Sequence, residues 1–210
     1  MFNPPDKNCS ICNRLCDFRK QNQQKYPSYH NGAVDSFGDL SSKILIVGLA
    51  PGLNGANQTN RPFTADYAGD ILYPCLQKFG FAKGNYNRKK DDGFELLNVR
   101  VTNAVRCVPP QNKVTSIELK NCRPFLKDEI SSMPDLKVIL ALGQVAHHAV
   151  LGALLYKQSA FKFSHGAVHE LSYHHITLID SYHTSRYNIN TGVLTIEMFE
   201  RVLACLKELL

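Results

Sequence analysis

The sequence predicts an α/β fold, a parallel sheet between two layers of helices, and three features predict it. Short apolar, β-branched runs recur as KILIVGL (43–49), LKVILALG (136–143) and HHITLIDS (174–181), each followed by a turn or loop. Runs of that kind read as parallel strands buried on both faces. Helical patterns lie between them, and strand-helix alternation puts helices on both sides of one sheet. A length of 210 residues, 44% of them hydrophobic, supports one sizeable core, so a single domain is expected over residues 1–210.

In chain order, the first element is a polar leader of about residues 1–40, rich in Pro and Asn, which holds the CxxC pair Cys9 and Cys12. It has neither the apolar block of a signal peptide nor an Arg-rich transit pattern. No later run approaches the roughly 18 apolar residues of a membrane span, so a cytoplasmic monomer without a membrane partner is expected. After the first strand comes the loop GLAPGLNGANQTNRPFTADYAG (48–69). Its glycines let backbone approach a ligand and aim amides at it, although the spacing matches neither GxxxxGK[ST] nor GxGxxG. Phe63 in this loop has no obvious core face, and is either a surface on which a planar base can stack or a loop anchor. Asp66 stands where a helix N-cap belongs, before the helical pattern 68–79 with its internal Pro74.

The segment 83–93, with Arg88-Lys89-Lys90 before Asp91-Asp92, reads as a solvated loop. A further strand-like run, VTNAVRC (101–107), carries Asn103. Thr115-Ser116-Ile117-Glu118 forms a capping box, and helical patterns follow from 122 or 124 to 131, over 144–155 and over 196–210. His183 lies just past the last strand-like run, between Tyr182 and Thr184, as a structural or a ligand-facing histidine. Ligands bind at the carboxyl ends of such strands. The candidate site is therefore built from residues 48–69, Asn103 and residues 180–192.

A net charge of +6 is compatible with polyanion binding and with ordinary enzymes alike. Seven cysteines in a reducing compartment are no disulfide framework. Cys75 and Cys205 sit in helix-like apolar runs and read as core. Cys9, Cys12, Cys107 and Cys122 come from two distant segments and either meet at one metal or stand as unrelated structural thiols. Zinc and an iron-sulfur cluster take the same ligands. Cys16 is a spare or substitute.

GLAPGLNGANQTNRPFTADYAG resembles the first motif of the uracil-DNA glycosylase superfamily in its family 5 form. TNAVRCVPPQNK, NCRPFL, ALGQVA, FSHGAVHEL and SYHTSRYNINTGVLT resemble the further blocks in the same order, from about Cys9 to the C-terminus. The resemblance implies a three-layer α/β/α sandwich around a four-stranded parallel sheet. It also implies a 4Fe-4S cluster on Cys9, Cys12, Cys107 and Cys122 that ties the leader on. The implied activity belongs to DNA repair: hydrolysis of the N-glycosidic bond of uracil, and of other deaminated bases such as hypoxanthine or xanthine, leaving an abasic site. An iron-sulfur DNA-binding protein without turnover is the alternative on the same fold.

Carried over by the resemblance, Phe63 stacks on the flipped base and Asn103 bonds its Watson-Crick edge. His183 donates to the base oxygen that gains charge as the bond breaks, and Asp66 positions water or stabilises the sugar cation. Gly48, Leu49, Ala50, Pro51 and Gly52, with Asn57, line the base pocket. Ser185, Arg186 and Asn188 contact phosphates, and Tyr187 or Ile189 is the wedge that fills the vacated stack. Two departures stand out. Leu49 and Ala50 occupy positions near the first glycine where related families carry an acid, and Thr184 replaces the proline of a His-Pro-Ser motif.

Overall fold

The apolar runs form strands because each is short, β-branched and buried on both faces, so that a sheet interior is the only surface that satisfies both sides. The computed structural model describes residues 2–210. In chain order the elements are α1 (Asn13–Lys25), β1 (Ile44–Gly48), α2 (Ala56–Thr59), α3 (Tyr67–Lys78), β2 (Ala82–Lys83), β3 (Glu95–Leu96) and β4 (Val99–Asn103). There follow α4 (Ser116–Ser131), β5 (Val138–Leu142), α5 (Gln144–Ala153), β6 (Val168–Leu171), β7 (Ile176–Ser181), α6 (Arg186–Asn190) and α7 (Ile196–Glu208).

The sheet runs β4-β1-β5-β7-β6. Its first four strands are parallel, as the sequence predicts, and β6 adds an antiparallel edge. That fifth strand comes from FSHGAVHEL, whose pattern is too polar to announce a buried strand: only Leu171 of β6 is fully buried. The alternation of side chains along a strand then divides the core in two. Ile44 and Ile46 of β1 face α3 and α7, packing with Leu72, Leu76, Phe199 and Leu203. Leu45 and Val47 face α4 and α5, packing with Leu126, Ile130, Val150 and Leu151. No described helix is long and apolar enough to cross a membrane.

Three segments differ from expectation. The fourth helix begins at Ser116, six residues before Cys122, because the Thr115 hydroxyl accepts from the Glu118 amide and the Glu118 carboxylate accepts from the Thr115 amide, closing the capping box. The leader contains α1, whose low apolar content hides it in the sequence. Leu15 is its buried apolar contact, packed with Ala33, Val105, Cys107 and Cys122, and the polar Arg19 and Asn22 are buried beside it. Segment 83–93 is not simply solvated: the Asp92 side chain is buried against Arg61, and β2 pairs with β3 on either side of it.

Register positions the site. Gly48 pairs with Asn103 across β1 and β4, and Leu142 pairs with Ser181 across β5 and β7. All four parallel strands therefore end at one edge, where the loop 48–69, Asn103, the start of α5 and His183 emerge together.

Candidate active site

At that edge lies a cavity of about 420 Å³. Its walls include Leu49, Ala50, Pro51 and Gly52 after β1, Phe63 and Asp66 before α3, Asn103 at the end of β4, and His183, Ser185 and Arg186 after β7. Ten of the residues expected from sequence thus meet around one space, although they come from three separate strand ends.

Phe63 is both anchor and wall. It is 5% exposed and joins the core, while its ring lies 5.8 Å from that of His183 at an interplanar angle of 29°. Its backbone has φ 51° and that of Ala65 has φ 65°, left-handed values that non-glycine residues rarely adopt. Several bonds hold this turn. The Tyr73 hydroxyl donates to the Pro62 carbonyl, the Tyr86 hydroxyl donates to the Phe63 carbonyl at 3.2 Å, and the Ala65 amide donates to the Tyr86 oxygen at 3.3 Å. Gly48 is required beneath the ring: a Cβ there would lie 2.5 Å from Phe63 Cζ and 2.6 Å from Asn103 Oδ1.

Arg61 secures the approach to this turn. Its guanidinium donates to both carboxylate oxygens of Asp92 at 2.7 and 2.8 Å, and through Nε to the Thr64 hydroxyl at 2.7 Å. The rings of Phe37, Tyr73 and Tyr86 surround it at 5.0, 5.7 and 5.8 Å. Burial alone would raise the Asp92 carboxyl, but Arg61 and the amides of Asn87 and Phe94 override it and hold the group well below the usual carboxylate range.

Asp66 caps α3: Oδ1 accepts from the Gly69 amide at 2.9 Å. Its other oxygen faces the glycines of the preceding loop, so that a Cβ at Gly55 would lie 2.8 Å from Oδ2. Burial, countered in part by the Gly69 amide, raises its carboxyl to about 6. Asn103 is 3% exposed and lines the cavity, and its side-chain amide has no hydrogen-bond partner among the described residues. Burial lowers His183 to about 4, so its imidazole is neutral around neutral pH. Behind His183, the buried Asp180 carboxylate sits 2.7 Å from His147 Nδ1 and 2.9 Å from His169 Nε2, while His147 Nε2 donates to the Phe161 carbonyl at 3.0 Å.

Away from the cavity, Cys9, Cys12, Cys107 and Cys122 converge around a small apolar space with Leu15 and Phe125. Asn121 Nδ2 stands 3.4 Å from the Cys12 sulfur, and the buried Arg19 donates to the carbonyls of Cys9 and Asn8 at 3.0 and 3.1 Å. The four thiols come from the leader, the exit of β4 and α4. All-sulfur donors, partial burial and nearby N–H groups fit an iron-sulfur cluster. The Cys16 sulfur instead donates to the Cys9 carbonyl at 3.4 Å and stands outside the space.

Residues 36–207 match the family model described as the Uracil DNA glycosylase superfamily. The chain belongs to that superfamily. A type-5 uracil-DNA glycosylase of Thermus thermophilus is 40% identical over 207 residues, which covers 96% of this chain and 93% of its relative. A type-5 uracil-DNA glycosylase of Pyrobaculum aerophilum is 37% identical over 200 residues, covering 93% and 86%. A crystal structure of wild-type SMUG2 from Pedobacter heparinus shares the fold, with a TM-score of 0.51 and 13% identity over 89% of this chain and 81% of that one.

Five of the site residues expected for this uracil-DNA glycosylase superfamily chain stand off the cavity, among them Ile189, which packs against the core. Gly48 lies behind Phe63 rather than on the wall. The Asn57 amide donates to Asn31 at 2.9 Å, because the short helix α2 turns that side chain inward toward the leader. Asn188 donates to the His183 carbonyl at 2.8 Å and is spent on the loop itself. Tyr187 is 73% exposed beyond the rim. Sequence reasoning missed Pro109 and Asn112 after β4 and residues 143–146 at the start of α5, which complete the wall. ALGQVA is one of the blocks that resemble the family, but no single residue type in it signals chemistry.

Removing the Asp92 carboxylate leaves a buried guanidinium unpaired. Asp92→Ala is expected to destabilise the fold by about 3–5 kcal/mol in urea unfolding, and the double replacement Arg61→Met with Asp92→Leu to recover much of that loss. Equal stability of Asp92→Ala and the parent would show that the pair does not hold the loop.

Proposed function

We propose that this protein hydrolyses the N-glycosidic bond of uracil in DNA and leaves an abasic site. The observation that carries the reading is the unpartnered Asn103 amide, buried in a cavity wall beside Phe63 and His183. A donor and an acceptor left unused on the cavity wall suit the edge of a base removed from its stack. Phe63 supplies the face on which the base rests. A neutral His183 donates to the oxygen that gains charge as the bond breaks and transfers no proton, an electrostatic role that strengthens only in the transition state.

Asp66 is the one carboxylate on the wall, and Leu49 and Ala50 offer nothing that orients water. Its two oxygens divide the work: one caps α3, and the other serves the attacking water or the sugar cation. Ser185 and Arg186 at the rim meet the phosphates, with Arg186 steadied over the Tyr67 ring at 5.1 Å and the exposed Tyr187 acting as the wedge. A cavity of about 420 Å³ has room for a purine, which supports hypoxanthine and xanthine as further substrates. Cys9, Cys12, Cys107 and Cys122 hold a 4Fe-4S cluster, which when bound fastens the leader to α4 and the exit of β4 and takes no part in the cleavage.

Duplexes carrying uracil, hypoxanthine or xanthine, treated with the protein and then with alkali, are expected to break at the abasic site. No break at uracil would leave a DNA-binding protein without turnover. His183→Ala is expected to lower the single-turnover rate by about 10²-fold with little loss of duplex affinity. Below pH 6 the rate should fall about tenfold per unit as Asp66 takes up its proton, and this limb should vanish in Asp66→Asn.

Stability runs the other way. The folded-state value of Asp66 stands above the unfolded one, so the favourable contribution of its protonated form is complete below about pH 4 and lost as the pH rises through 6. Ionised Asp66 then costs about 2–3 kcal/mol. Asp66→Asn, which keeps a capping oxygen, should melt above the parent near pH 8 while excising at least about tenfold more slowly. Parental excision by Asp66→Asn would move water placement to Asn103 and the loop backbone.

For the cluster, Cys107→Ala and Cys122→Ala should each lose iron, visible absorbance and stability, whereas Cys16→Ala keeps all three. Full iron content in either of the first two variants would overturn the ligand set.

A further inference from the structure

Between the end of β7 at Ser181 and the start of α6 at Arg186, the chain has no regular structure, and His183 lies in that gap. Nothing in the local backbone fixes where the imidazole stands. Before it, the Tyr182 amide donates to His165 Nδ1 at 3.2 Å and the Ser181 hydroxyl to the Tyr182 carbonyl at 2.9 Å; two more side-chain bonds hold His183 and the residue after it. Asn188 Nδ2 donates to the His183 carbonyl at 2.8 Å, a short-range bond within the same loop. Thr184, fully buried, donates from Oγ1 to the Ala68 carbonyl at 3.2 Å, across 116 residues of sequence.

Ala68 is the second residue of α3, the helix that Asp66 caps and that follows directly on the Phe63 turn. We infer that Thr184 is a positioning residue: its hydroxyl couples the His183 loop to the first turn of α3, and so holds the leaving-group donor in place relative to Asp66 and Phe63. The inference rests on the role proposed above for His183.

The chemistry of the residue fits this role. A proline at 184 stiffens the loop by fixing its own φ, and carries no donor. Threonine leaves φ free and supplies a donor instead. This chain therefore exchanges local stiffness for a bond to the opposite wall of the cavity. The Thr184 side chain is not on the cavity wall, so it acts through its neighbour and touches no substrate. A displacement of the imidazole by about 1 Å is enough to slow a reaction by about 10²-fold.

Two substitution pairs isolate the hydroxyl. Thr184→Val keeps the β-branch and removes the donor; Thr184→Ser and Thr184→Ala both lack the methyl and differ in the donor alone, which preserves the test should the valine variant fail to fold. Single-turnover excision of uracil is expected to be about tenfold slower in Thr184→Val than in the parent, and about tenfold slower in Thr184→Ala than in Thr184→Ser, with duplex affinity unchanged in all. In a His183→Ala background the loss of the hydroxyl should add nothing, since the group it places is gone.

A merely structural hydroxyl would lower melting temperatures and leave the rates of folded variants alone; parental rates without the donor, or a further rate loss on removing it in the His183→Ala background, overturn the inference. Parental excision by His183→Ala alone would overturn the role of His183 itself. Slow His183→Ala with parental Thr184→Val would overturn only the coupling.

Discussion

Left-handed backbone at Phe63 and Ala65 is disfavoured by their own side chains, and the buried pair of Arg61 with Asp92 is the interaction that keeps the turn populated. The guanidinium reaches in three directions at once. It is bidentate to Asp92, bonded to Thr64 inside the turn, and packed among the rings of Phe37, Tyr73 and Tyr86. Two of those rings then turn their hydroxyls back onto the carbonyls of Pro62 and Phe63. A charge pair in such surroundings is stabilising only while complete, since either partner alone is a buried ion. The geometry of Phe63 and Asp66 is thus tied to a residue 26 positions further along the chain than Asp66.

A rigid turn permits an unfavourable group nearby. Asp66 is held where burial raises its carboxyl, and its ionised form opposes folding around neutral pH. The first turn of α3 offsets part of this cost, through the Gly69 amide and the positive end of the helix. The cap is compatible with the catalytic role proposed for this residue, because it occupies one oxygen and leaves the other facing the loop glycines. The lateness of the acid in the loop has the same origin. A carboxylate that must cap α3 stands immediately before that helix, and Gly55, where a Cβ would lie 2.8 Å from Oδ2, lets the preceding chain fold around it.

Much of this was legible in the sequence. The four parallel strands are legible because strands buried on both faces are apolar throughout, and the meeting of Asn103, Asp66 and His183 at one cavity is legible because such sheets bind ligands at strand ends. What escaped has a common physical cause. α1 buries Leu15 beside the polar Arg19 and Asn22, and β6 buries fully only Leu171, so neither has a periodic apolar face to read. Asp92 sits in a run of charges that looks solvated, and only its distant partner Arg61 makes it interior. Asn57 and Asn188 were assigned outward roles, but side-chain amides bond equally well to backbone or to each other, and sequence does not record which. The start of α5 contributes through its position rather than through any marked residue.

The leader, largely polar, packs behind the site and is bonded to the segments that form it. The Val34 amide donates to the Arg106 carbonyl at 2.8 Å and the Asn31 amide to the Asn57 carbonyl at 3.1 Å, so the segment after α1 is stitched both to the exit of β4 and to the base loop. The same exit is bonded to the loop directly, with the amides of Ala104 and Val105 donating to the carbonyls of Gly48 and Leu49 at 2.9 and 3.0 Å. Asn103 stands at the head of this stretch and Cys107 at its foot, within one short, fully buried run. Anything that fastens Cys107 to the leader therefore limits the movement of the strand end that aims Asn103. The four cysteines themselves line a separate small space and meet the cavity only through this backbone.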